Sequence, residues 1–131
     1  MTTKTINIAG KEVTLAYCYG TEIAFKMLSD EDIIDFFKAD VFPAVSDKKT
    51  PRMPDRKKTI FLILAAANSY YDSIEKECPV TDKDLMYKTK VSDLPDALAV
   101  ILELYTNFYK TPSGEPEDEK DEDNAAAEKN A

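Results

Sequence analysis

Residues 60–71 read IFLILAAANSYY, and this stretch constrains the fold more than any other. It is apolar nearly all the way round a helical wheel, the pattern of a helix covered on several sides rather than along one stripe. A chain carrying it must supply other elements to surround it, so this helix is expected at the centre of the molecule. Its strictly apolar part, residues 60–67, is eight long, far short of the ~20 residues that span a bilayer.

The covering elements can be found in the remaining sequence. The stretch after Ser92 or Asp93, either of which can cap it, carries Leu94, Ala97, Leu98, Ile101, Leu102, Tyr105, Phe108 and Tyr109 on one long stripe, with Pro95 in the first turn. Residues 4–9 and 12–17 alternate in polarity around Gly10-Lys11, and a two-residue link that starts with Gly predicts a type II′ hairpin. Ile6, Ile8, Val13 and Leu15 then share a face, which must lean on the helices because an isolated hairpin is marginal in water. Thr21 is expected to cap a short helix buried through Ile23, Ala24, Met27 and Leu28. Ser29 begins a second, buried through Ile33, Ile34, Phe36 and Phe37. Residues 40–55, with Pro43, Pro51 and Pro54, read as a loop anchored by Val41, Phe42 and Val45. Thr81 to Asp84 resembles a capping box opening another short helix.

The expected architecture is therefore mainly α with a small β component: an N-terminal β-hairpin packed on a compact bundle of about five helices. One domain covers residues 1–110, as suits a chain of 131 residues. Residues 111–131 hold no apolar side chain larger than Ala or Pro and eight acids against Lys120 and Lys129, so a disordered acidic tail is expected there. The tail carries −6 of the net −8, leaving −2 for residues 1–110. That balance argues against nucleic acid and against an anionic membrane surface, both of which require a basic face. With no signal-peptide segment visible, a cytoplasmic location is expected, and Cys18 and Cys78 are expected as reduced thiols.

Chemistry is scarce. There is no histidine, which removes the usual general base, triad partner and zinc ligand. Gly10, Gly20 and Gly114 are too dispersed for a phosphate-binding loop, so no cofactor is expected. Asp30, Glu31, Asp32 and Asp35 fall where a helix start attracts carboxylates, and no calcium-loop pattern accompanies them. Cys18 lies just before a helix start, which lowers a thiol pKa, yet between Tyr17 and Tyr19 it reads first as a packed small side chain. The expectation is a protein without enzymatic activity; Cys18, Glu22 and Asp35 are the groups an enzyme would have to use.

Two surfaces qualify as protein-binding candidates. Tyr70, Tyr71, Tyr105, Phe108 and Tyr109 sit late in the two strongest helices, where aromatics serve either the core or an interface. Lys48, Lys49 and Arg52 open a run that continues through Arg56, Lys57 and Lys58, six cations in eleven residues. That run is either a solvated loop or a dock for an acidic partner, the chain's own tail included.

The order of these pieces carries a family resemblance. A hairpin with a Gly-Lys turn is followed by YCYGTEIAFKML, FLILAAANSYY and a last helix ending NFYKTP, together spanning residues 4 to 112. This resembles the tail assembly chaperones of long-tailed bacteriophages and prophages. The resemblance implies a non-enzymatic protein of the host cytoplasm, absent from the mature virion. It would bind the tape measure protein and keep it soluble until tail tube subunits assemble. It also implies a longer product made by ribosomal frameshifting; Glu128-Lys129-Asn130 can be encoded GAA-AAA-AAC, which contains a slippery heptamer. The alternative expectation is a bacterial helical adaptor that holds another protein.

Overall fold

The computed structural model describes residues 1–47 and 52–110. The expected tail at residues 111–131, together with Lys48 and Lys49, lies outside the described residues. Two strands, β1 (Thr2–Ile8) and β2 (Lys11–Tyr17), form an antiparallel hairpin. Helices α1 (Tyr19–Ser29), α2 (Ile33–Phe36), α3 (Phe42–Ser46), α4 (Arg56–Ser73), α5 (Asp82–Tyr87) and α6 (Asp93–Lys110) follow, with a π-helical turn over Phe37–Val41 joining α2 to α3. With α2, the π turn and α3 forming one continuous helical stretch, the architecture is the expected hairpin on about five helices.

Helix α4 occupies the centre. Thr59 and every residue from Leu62 to Ala67 are buried, and the helix packs on β2, α1, α5 and α6. Asp55 caps it by accepting from the Lys58 N–H at 3.0 Å. Helix α6 buries Ala97, Leu98, Ile101 and Leu104 against α4 and both strands. The hairpin turns its expected face inward, with Val13, Leu15 and Tyr17 fully buried and Ile6 opposite Val13.

The turn itself differs from expectation. Ile8 pairs with Lys11, so the two linking residues are Ala9 and Gly10, at φ 53° and 75°. Two positive φ values define a type I′ turn rather than II′, and a left-handed alanine is unfavourable by itself. Tertiary bonds compensate: the Ala9 N–H donates to Asp93 Oδ2 at 3.1 Å, and Lys11 Nζ donates to the Pro79 carbonyl at 2.9 Å and reaches Asp84 at 3.4 Å. The hairpin tip is thereby fastened to the segment that enters α5 and α6.

Asp84 is the anchor of that fastening. It accepts from the Thr81 N–H at 3.0 Å, completing the expected capping box, and meets the Lys88 ammonium at 3.3 Å. The Thr81 bond first, then Lys88 and Lys11, hold its carboxyl down to about 2. A carboxyl depressed in the folded state stabilises the fold above its unfolded pKa of ~3.9 and loses that contribution as pH falls through the folded value. The urea midpoint is expected to drop as pH is lowered from about 5 to 2. Asp84→Asn should be less stable at pH 7 and should flatten that part of the profile; a variant profile parallel to wild type would refute the assignment.

The first helices depart further. α1 is capped three residues earlier than expected, at Cys18; Thr21 sits in the first turn, accepting from the Cys18 N–H at 3.2 Å and donating to the Ala16 carbonyl at 2.9 Å. Asp32, not Ser29, caps α2, accepting from the Ile34 N–H at 2.8 Å. Residues 42–46, expected in a loop, continue the helix, with Ala44 rather than Phe42 or Val45 buried. Pro43 lacks an N–H and crowds the preceding turn of a regular helix. Here the wider π turn comes just before it, with the Phe42 N–H reaching back to the Phe37 carbonyl.

Candidate functional site

Helix α1 presents its apolar residues to two sides. Phe25 is fully buried and lies over Phe36, with ring centroids 5.4 Å apart and planes 20° from parallel. This large ring and the bonded Thr21 hydroxyl set which side faces α4. The consequence overturns one expectation: Ile23 and Met27, assigned to the core from their spacing, are 60% and 82% exposed, and Leu28 is also exposed. Tyr19, 65% exposed, precedes them at the same four-residue step, so Tyr19, Ile23 and Met27 form one exposed stripe.

The stripe continues onto α6. Phe108 meets Tyr19 edge-on at 5.2 Å, and Tyr109 packs edge-on against Phe108 at 5.0 Å and Tyr105 at 5.3 Å. Behind them Tyr17 contacts all three rings, with centroids 5.4 Å from Tyr105, 5.5 Å from Phe108 and 6.2 Å from Tyr109. Glu22 Oε2 accepts from the Tyr17 hydroxyl at 2.7 Å and from the Tyr109 hydroxyl. Burial first and the Glu22 carboxylate second push both phenols far above the usual tyrosine range. The two hydroxyls donate to the one carboxylate, which ties the end of α6 to α1 beside the exposed stripe.

Of the predicted residues, Tyr105, Phe108 and Tyr109 meet in this cluster, while Tyr70, Tyr71 and Arg52 lie elsewhere. Tyr105 and Phe108 are half-buried, Phe37 lies 4.9 Å from Tyr105, and Tyr109 is about half exposed. Tyr70 and Tyr71 pack edge-on at 4.9 Å at the end of α4, and the Tyr71 hydroxyl accepts from the Thr14 N–H at 3.1 Å, which gives Tyr71 a role in holding β2. Arg52 is committed to Asp40 at 2.7 Å, and Asp40 also takes the Asp55 N–H at 2.7 Å. The Asp55 N–H first, with Arg52, lowers the Asp40 carboxyl. Lys58 pairs with Glu31 at 2.7 Å, and Lys57 lies over the Phe61 ring. Most described members of the basic run thus serve the fold.

Both thiols are free. Cys78 is pushed up by burial, and Cys18 Sγ lies 3.7 Å from the Thr21 hydroxyl. Among the described residues no group of three or more His, Cys, Asp or Glu is placed to hold a metal ion, and no helix is long and apolar enough to cross a membrane. No known protein family, curated protein or solved structure matches this chain.

Sequence reasoning passed over Tyr19, Ile23 and Met27 as surface residues. A usable signal was present: at ~100° per residue Ile23, Ala24, Phe25, Met27 and Leu28 spread over roughly 200° of the helical wheel, wider than one buried face.

Proposed function

We propose that this chain is a tail assembly chaperone of the long-tailed bacteriophage type, which binds the tape measure protein in the host cytoplasm and keeps it soluble until tail tube subunits assemble. The observation that carries the reading is the stripe Tyr19, Ile23 and Met27, continuous with Phe108 and Tyr109. Contiguous exposed apolar surface marks interaction sites, and residues at a four-residue step suit the apolar face of an amphipathic helix laid alongside. The resemblance of residues 4 to 112 to the phage chaperones supports the choice of client. The role calls for binding without catalysis.

The test is co-expression with the product of the very long, coiled-coil-rich reading frame expected immediately downstream of this gene. The client is expected to move from the insoluble to the soluble fraction and to co-purify with the chain. A client that stays insoluble beside a folded chain overturns the reading, and co-purification of a host protein in its place identifies an adaptor.

A further inference from the structure

A second surface lies away from the stripe. Arg52, Met53 and Arg56, at the entrance to α4, face Thr89, Lys90, Val91, Leu94 and Pro95, at the entrance to α6, across a groove of about 570 Å³. Its floor mixes apolar and basic groups, and Val91 is 97% exposed. Arg52 is neutralised by Asp40, and the nearby carboxylates of Asp55 and Asp93 are engaged by backbone N–H groups of Lys58, Ala9 and Lys90. Among the described residues, neither the Arg56 guanidinium nor the Lys90 ammonium has an ion-pair partner. Among the described residues, the groove therefore carries two cations outside any ion pair, beside apolar carbon.

We propose that this groove is occupied by the chain's own acidic segment, residues 115–123, whose sequence EPEDEKDED carries seven acids against Lys120. Charge complementarity selects an acidic strand, and connectivity selects this one. Helix α6 runs from the groove, at Leu94 and Pro95, to Lys110, a length of about 24 Å at 1.5 Å per residue. Residues 115–123 follow Lys110 by five to thirteen positions, a contour of roughly 17 to 45 Å, which brackets the return distance. A tether of that length presents the segment at millimolar effective concentration, ahead of any acidic peptide free in solution. Docking of this kind is screened once the Debye length falls to ~3 Å in 1 M salt.

The test compares amide NMR spectra of the full chain with those of a full chain whose seven acids are neutralised, Glu115→Gln, Glu117→Gln, Asp118→Asn, Glu119→Gln, Asp121→Asn, Glu122→Gln and Asp123→Asn. In low salt the two should differ at Arg56, Lys90 and Val91, and the differences should vanish near 1 M salt. They should also be unchanged between about 20 and 500 μM protein, as an intramolecular contact requires. A second variant, Arg56→Glu with Lys90→Glu, reads the contact from the other side by shifting the amides of residues 115–123. Identical groove amides in the first comparison overturn the proposal; differences that grow with protein concentration also overturn it, assigning the groove to the segment of a second copy.

Discussion

Replacing Ile23 and Met27 together by glutamate should leave the fold intact and abolish retention of the client. Both side chains are mostly in solvent, so the substitutions remove little buried surface, and surface changes of this kind usually cost within ~0.5 kcal/mol each. The melting temperature should therefore stay within a few degrees of wild type. Binding is another matter. Two carboxylates set against an apolar helix face would be desolvated without partners, and anchors in the middle of an interface commonly contribute ~2 kcal/mol or more apiece, so client affinity should fall by roughly 100-fold or more. The readout is the soluble fraction of co-expressed client. Retained solubilisation by a folded double variant would show that the stripe is not the docking surface.

Truncating Leu62 to alanine should produce a large loss of stability. Leu62 is fully buried within the helix that the rest of the domain surrounds, and such a truncation costs ~2–5 kcal/mol through lost burial and the cavity left behind. Against a total of ~5–15 kcal/mol for a domain, that is a large share, and it corresponds to a fall in melting temperature of about 10 °C or more. Leu62→Met, nearly equal in volume, should cost less than ~1.5 kcal/mol. Equal midpoints for Leu62→Ala and wild type in urea titration would contradict the central placement of α4.

The centre of this fold was legible because it is redundant. IFLILAAANSYY has no polar face to turn outward, and α6 has a single broad stripe, so period and composition point the same way in both. The capping box at Thr81 and Asp84 was legible for a similar reason, since two side chains satisfy two backbone donors at a fixed spacing. The hairpin turn lies one residue before the Gly10-Lys11 link that glycine preference indicates, because a long-range bond to Asp93 accompanies a left-handed Ala9. Helix α3 was missed because Pro43 reads as a breaker, and nothing local announces a π turn that makes room for it.

The candidate site shows where pattern reading runs out. Tyr105, Phe108 and Tyr109 were singled out, and the structure brings them together around Tyr17. Tyr70 and Tyr71 share their chemistry but pack elsewhere. Tyr19, Ile23 and Met27 were not selected, because spacing identifies residues that share a face without saying whether that face looks inward. In α1 the decision belongs to Phe25 and its long-range partner Phe36.

The joining of β1 to α6 sets the order in which the domain can be completed. Thr2 Oγ1 donates to the Leu104 carbonyl at 3.0 Å, and Lys4 meets Glu103 at 3.5 Å, contacts that close nearly the whole length of the described chain. During synthesis the hairpin emerges before α6 and meets this cover only later. Until α6 leaves the ribosome, Val13, Leu15 and Tyr17 lack part of the surface that buries them, and contacts so distant in sequence form late and slowly. The nascent chain passes through a stage in which it displays more apolar surface than the finished protein does, and release of the last helix ends that stage.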